Sequence, residues 1–198
     1  APFVKFLTAT TNAISKLFGV SENEEEIVTE EEIKMMVDQG EESGTIEEEE
    51  KELINNVFEF NDITVSEIMT HRTDIFAVDI NMTPGELLEE IIEDDCRHSR
   101  IPVYDETIDD IKGILYVKDL IKNITKKTFK IKNIMKEAYF VSQNKLINEI
   151  FKELQKSKKQ MAIVIDEYGG TAGLITMEDI LEEIVGDIEA VHILVTPS

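Results

Sequence analysis

Two kinds of apolar spacing divide the chain. Through residues 21–60, apolar positions recur at helical intervals between glutamate runs: Ile33, Met36 and Val37, then Ile46, Leu53, Ile54, Val57 and Phe58. Thr29-Glu-Glu-Glu32 has the form of a capping box, and Gly40 and Gly44 bracket a turn, so the pattern predicts two amphipathic helices in a small hairpin. Beyond residue 61 the apolar runs become short and are broken by turn residues. Strands are expected at 100–104, 111–116, 161–165 and 172–176, and helices at 84–92 and 146–154. Asp166-Glu-Tyr-Gly-Gly170 supplies a tight turn in which glycines meet the need for positive φ. Near the start, Phe3, Leu7, Ile14 and Phe18 fall close to one helical stripe. Such a stripe suits a helix lying on a membrane surface, one docking another domain, or one packed on its own core.

The strand-and-helix pattern occurs twice. Ile101-Pro-Val-Tyr-Asp105 followed by Gly113-Ile-Leu-Tyr-Val-Lys-Asp119 is echoed by Ala162-Ile-Val-Ile-Asp166 followed by Gly173-Leu-Ile-Thr-Met-Glu-Asp179, at offsets of 61 and 60 residues. Upstream, Glu67-Ile-Met69 is matched by Asn133-Ile-Met135 at an offset of 66. Shared order with drifting spacing indicates one unit duplicated with small loop insertions, and two copies make a pair of modules, not an open solenoid. Lys122-Asn-Ile-Thr-Lys-Lys-Thr128 is a short polar connection between them.

Composition narrows the class. No stretch approaches 18 uninterrupted apolar residues, and no basic segment leads into an apolar one in the manner of a signal peptide. A chain opening on Ala1 without methionine is expected to be a piece of something longer. Cys96 is the sole cysteine, which excludes an internal disulfide framework and suits a reducing compartment. The net charge is −22: residues 1–60 carry 16 acids and 4 bases (−12), and residues 61–198 carry 26 acids and 16 bases (−10). That field repels a phosphate backbone, so nucleic acid is not an expected partner, whereas divalent cations are. The clustered carboxylates of the hairpin form a solvated helix face or a surface for hydrated magnesium.

Candidate chemistry lies at the end of each repeat, where a strand passes into a helix. In the second copy Thr176 stands at that junction and Asp179 three residues later. Thr-x-x-Asp is an N-terminal capping motif, and it needs no ligand. The same atoms also suit a ribonucleotide. Free N–H groups and the positive helix end attract phosphate, a threonine hydroxyl adds a donor, and a fixed carboxylate accepts ribose hydroxyls. Cys96 and His98 have no orienting partner in the sequence, so no catalytic role is assigned and the chain is not expected to be an enzyme.

Two copies of Ile-Met, Pro-Val-Tyr-Asp and Gly-x-x-x-x-x-Asp resemble a pair of cystathionine-β-synthase (CBS) domains. The closer resemblance is to the CorC/HlyC transporters, bacterial relatives of the cyclin M magnesium transporters. It rests on Val65-Ser-Glu-Ile-Met-Thr-His-Arg-Thr-Asp74, His98-Ser-Arg-Ile-Pro-Val-Tyr104, Asp166-Glu-Tyr-Gly-Gly-Thr-Ala-Gly-Leu-Ile-Thr-Met-Glu-Asp179 and Ile184-Val-Gly-Asp-Ile188. The resemblance implies an α+β fold: a tandem CBS domain pair of β-α-β-β-α units preceded by a small acidic helical hairpin. The implied layout is a juxtamembrane segment at 1–20, an acidic bundle at 21–60, CBS domains at 61–125 and 126–189, and a tail at 190–198. Residues 190–198 depart from the family pattern.

The implied function is regulatory. An adenine nucleotide (ATP, AMP or ADP), with Mg2+, is bound on the cytoplasmic side of a cell membrane and controls divalent-cation transport by an attached transmembrane domain. CBS pairs also associate as homodimers. The alternative is a nucleotide-sensing module of a soluble enzyme. Thr176 and Asp179 match the family's phosphate and ribose contacts, Arg100 faces the same ligand, and Thr70 is a further carry-over. Tyr139, Phe140 and Ile163 are expected around the adenine. Tyr116 stands where the second copy has Thr176, so one occupied site per chain is expected, built on the second motif.

Overall fold

A computed structural model describes residues 28–93, 98–126 and 128–186. The expected segment at 1–20, Cys96 and the tail at 190–198 lie outside the described residues.

Helix α1 (Glu30–Glu42) opens on the expected capping box: the Thr29 N–H donates to Glu32 Oε2 (3.1 Å) and the Glu32 N–H donates to Thr29 Oγ1 (3.3 Å). The helix continues through Gly40, where a turn was expected. A Cβ at Gly40 would lie 2.6 Å from Ile46 Cδ1, so this glycine makes room for a returning side chain. The turn falls at Gly44, with φ +70°. Helix α2 (Glu48–Glu59) follows, and Lys51 Nζ lies 2.8 Å from Asp38 and 3.5 Å from Glu41. The described residues through Lys51 form one compact unit, and those from Glu52 onward form a second.

In the second unit the first repeat contributes α3 (Val65–Ile68), β1 (Thr70–His71), β2 (Val78–Asp79), α4 (Pro84–Glu93), β3 (Arg100–Asp105), β4 (Thr107–Tyr116) and α5 (Val117–Asn123). The second contributes β5 (Phe140–Ser142), α6 (Ile147–Ser157), β6 (Met161–Ile165), β7 (Thr171–Thr176) and α7 (Met177–Val185). Strands β2-β3-β4 form one sheet, and β5-β6-β7 form its counterpart with the same parallel and antiparallel pairings. The second hairpin turns through Gly169 at φ +83°, and Asp166 Oδ1 accepts from the Tyr168 and Gly170 N–H groups. The first turns at Glu106, a non-glycine residue at φ +64°.

Each repeat lends its entry segment to the other. Strand β1 belongs to the first repeat by sequence but lies antiparallel on β7, with Thr70 opposite Leu174. Reciprocally, Lys136 bridges Ile114 of β4. Val65, with Phe60, Ile63, Ile68 and Met69, packs into the second core, whereas Ile131, with Phe129, Ile134 and Met135, packs into the first. The repeated glycine permits both crossings: a Cβ at Gly173 would lie 2.4 Å from the Thr70 carbonyl oxygen, and one at Gly113 would lie 2.6 Å from that of Lys136. A third apolar cluster, Ile111, Ile114, Ala138, Met161 and Ile163, joins the two sheets.

A polar clamp also spans the repeats. Arg72 forms a two-pronged ion pair with Asp109, with Nη2 to Oδ2 at 2.9 Å, and Asp109 Oδ1 accepts from the buried Thr171 N–H at 3.0 Å. The hydrogen bond from Arg72 and then that from Thr171 hold the Asp109 carboxyl below its ordinary pKa. A depressed carboxyl pKa stabilises the fold above the unfolded value, about 3.9, and that contribution is lost as pH falls through the lower, folded value. The Asp109→Asn variant is therefore expected to melt below the parent chain at neutral pH, with the gap closing below about pH 4. Circular-dichroism melts across that range check this, and a gap that ignores pH would refute it.

Candidate functional site

The exchange of entry segments builds a cleft of about 330 Å³ beside the β1–β7 edge. Thr70 reaches it from β1, Arg100 from the start of β3, Thr176 from the end of β7 and Asp179 from the first turn of α7. Ile75, Phe76, Pro102, Met161 and Leu174 supply its apolar wall. Its size falls at the lower end of the range for small-molecule sites, about 300–1,000 Å³.

Thr176 and Asp179 form a reciprocal cap. Thr176 Oγ1 accepts from the Asp179 N–H at 3.2 Å, and Asp179 Oδ2 accepts from the Thr176 N–H at 2.8 Å. Capping leaves chemistry in reserve. The threonine hydroxyl keeps its own proton for donation, and the aspartate keeps Oδ1, which makes no hydrogen bond among the described residues. The capping and binding readings therefore use the same geometry and do not compete. Arg100 is engaged by Glu178, with Nη1 and Nη2 at 3.3 and 3.4 Å from Oε1. The arginine side chain is 20% exposed and the glutamate 61%, so the glutamate is the member free to swing into solvent. Asp74, Glu178 and Asp179 place three carboxylates on the lining of the cleft that holds Arg100.

Of the residues expected around a ligand, Thr70, Arg100, Thr176 and Asp179 share this cleft, and Tyr139, Phe140 and Ile163 do not line it. Ile163 is fully buried in the cluster joining the sheets. The Tyr139 hydroxyl donates to Glu153 Oε2 at 3.0 Å, and Phe140 begins β5, at the opposite edge of the sheet from β1. The apolar side chains that do line it are Ile75, Phe76, Pro102, Met161 and Leu174. Their signal was adjacency: Ile75 and Phe76 directly follow the Val65–Asp74 motif, and Pro102 lies inside the Ser-Arg-Ile-Pro segment.

The first copy differs at the matching junction. Tyr116 occupies the cap position without a side-chain cap hydrogen bond. Its ring lies 4.4 Å from Lys136 Nζ and 5.5 Å from Lys118 Nζ, and Asp119 Oδ2 is 3.6 Å from Lys136 Nζ. The aspartate there faces a lysine where the second copy's faces a cap. Among the described residues, no three of His, Cys, Asp or Glu converge on a position that could hold a metal ion.

Comparison with known proteins gives this geometry its context. Residues 1–50 match the cyclin M transmembrane N-terminal domain, and residues 65–126 and 131–186 each match the CBS domain. The solved CBS domain of a bacterial CNNM/CorC family Mg2+ transporter is 42% identical, with a TM-score of 0.75 over 81% of this chain and 98% of that one. The chain belongs to the CNNM/CorC family. A CNNM/CorC CBS domain solved in complex with ATP is 41% identical, with a TM-score of 0.65 over 70% of this chain and 98% of that one. The UPF0053 protein YugS of Bacillus subtilis is 36% identical over 190 residues, which take in 94% of this chain and 44% of that protein. The chain therefore spans less than half the length of such curated relatives. Among its described residues no helix is long and apolar enough to cross a membrane.

Proposed function

We propose that the chain is the cytoplasmic regulatory region of a CNNM/CorC transporter, that it binds one adenine nucleotide in the cleft beside β7, and that ATP enters as its magnesium complex. The observation carrying this reading is the convergence of Thr70, Arg100, Thr176 and Asp179 on one cleft with an apolar wall. The residues fit the ligand by chemical type. The free N–H groups of α7, the Thr176 hydroxyl and Arg100 suit phosphate, Asp179 Oδ1 suits a ribose hydroxyl, and Phe76 with its apolar neighbours suits the base. The ATP-bound family structure supports the ligand class.

In this reading residues 1–20 lead from the membrane domain, 21–60 form the acidic bundle, 61–125 and 126–189 are the CBS domains, and 190–198 form a tail. Nucleotide alters transport of Mg2+ or another divalent cation by favouring one arrangement of the CBS pair, within a homodimer, over another. Because β1 comes from the first repeat and β7 from the second, a ligand touching Thr70 and Thr176 bears on both.

Titration with AMP, ADP and ATP, each with and without magnesium, tests the reading. One saturable site per chain is expected, and two sites of equal affinity, or none, would refute it. ATP brings about four negative charges to a cleft already lined by three carboxylates, so chelation should weaken ATP sharply and AMP much less. The Glu178→Gln variant removes one carboxylate and releases Arg100. Its affinity for magnesium-free ATP is expected to rise about three- to tenfold, with the magnesium dependence reduced accordingly. An unchanged magnesium dependence by calorimetry would show that Glu178 does not set it.

A further inference from the structure

We propose that the exposed lysines flanking the junction of the two CBS domains, Lys118, Lys122, Lys126, Lys130, Lys132 and Lys136, form a docking surface for an anionic membrane face. The inference rests on the membrane attachment in the proposed function. Within a chain of net charge −22, the described residues of 117–136 carry six lysines, no arginine and a single acid, Asp119, a local charge of +5. Lys118, Lys122, Lys126, Lys130, Lys132 and Lys136 are all exposed. Lys136 pairs with Asp119, whereas Lys122, Lys130 and Lys132 have no carboxylate partner among the described residues.

The chemistry favours a diffuse anionic surface over a shaped phosphate site. Arginine forks recognise individual phosphates and carboxylates, whereas lysine acts as a hydrated point charge on a flexible stem. Lys130 and Lys132 rim a groove of about 490 Å³ whose wall includes Ile80, Met82, Phe129 and one carboxylate, Asp105, so the groove has a net positive rim beside apolar surface. Ile121, on α5 between Lys118 and Lys122, is 70% exposed. Cationic and apolar groups side by side match a lipid headgroup layer better than a wholly polar partner.

The chain's overall acidity does not cancel this local field. At about 0.15 M ionic strength charges are screened over about 8 Å, so a surface touching these lysines responds to them and to the neighbouring Asp105 and Asp119 before the carboxylates farther off. Basic residues close to an anionic leaflet contribute about 1 kcal/mol each, a fivefold change in partition.

Co-sedimentation of the 198-residue chain with two vesicle types tests the proposal: phosphatidylcholine alone, and phosphatidylcholine with about one-third phosphatidylserine. At about 0.15 M salt the chain is expected to associate with the serine-containing vesicles and not with phosphatidylcholine alone, and to be released at about 1 M. Substituting Lys130→Gln together with Lys132→Gln should lower the partition about tenfold or more while leaving the melting temperature unchanged. No association, equal association with both vesicles, or an unchanged partition in the double variant would each overturn it. Capture by an acidic peptide without capture by phosphatidylserine would assign the surface to a protein and overturn it equally. Nucleotide titration of the same samples separates the two readings: vesicle binding without ATP binding defeats the nucleotide site alone, and the reverse defeats the docking surface alone.

Discussion

The Asp179→Asn variant is expected to bind adenine nucleotides about tenfold to a hundredfold more weakly, with stability changed by less than about 1 kcal/mol. Asparagine keeps an oxygen that can accept from the Thr176 N–H, now 2.8 Å from Asp179 Oδ2, so the start of α7 stays capped. What it loses is the charge and the second acceptor, Oδ1, which the cap does not use. Hydrogen bonds to a charged group contribute about 1.5–3 kcal/mol, and that is the loss expected if Asp179 receives a ribose hydroxyl. Calorimetry with ATP and with its 2′-deoxy form checks the assignment, since the variant should discriminate between them less than the parent does. Unaltered affinity in the variant would leave Asp179 a capping residue and nothing more.

The Gly173→Ala variant should lose both stability and ligand binding, whereas Gly113→Ala should lose stability alone. An added Cβ at position 173 would meet the Thr70 carbonyl oxygen at 2.4 Å and Met69 Sδ at 2.8 Å, and the carbonyl is backbone that cannot rotate away. Relief requires β1 to lift from β7, which carries Thr70 out of the cleft. Overpacking of this kind costs about 1–3 kcal/mol, a fall of on the order of 5–10 °C in Tm. At position 113 the obstructing atom is the Lys136 carbonyl oxygen at 2.6 Å, in the reciprocal crossing and away from the Thr176 cleft. Thermal melts paired with nucleotide titration distinguish the two. A Gly173→Ala protein with parental Tm would mean that the crossing has room to spare.

Local signals in the sequence were reliable where the physics is local. The Thr29–Glu32 box and the Thr176–Asp179 cap each depend on residues three apart, and both form. The expected strands at 100–104, 161–165 and 172–176 agree with β3, β6 and β7 to within one residue at each end, because period-two alternation and turn residues are read within a few positions. Gly40 was misread for an equally local reason: glycine normally punctuates a helix, but here a partner six residues away, Ile46, needs the space and the helix runs on. The first hairpin also departs from simple turn chemistry, with Glu106 taking the left-handed conformation without a glycine.

By itself the sequence determined the duplication, the order of elements, the acidic hairpin and the junction where Thr176 and Asp179 stand. It also identified Tyr116 as the difference between the copies, since each of these follows from residue identity and short spacing. Tertiary structure alone decided which repeat receives each entry segment, and hence which side chains wall the cleft. Thr70 meets Leu174 more than a hundred residues along the chain, and Arg100 meets Glu178 seventy-eight residues away. Nothing in the apolar pattern of residues 70–76 states which sheet edge they will cover. That choice is made by the close approach that Gly173 permits and by burial of Val65 in the opposite core. It lines this cleft with Ile75, Phe76 and Met161, while Tyr139, Phe140 and Ile163 lie elsewhere.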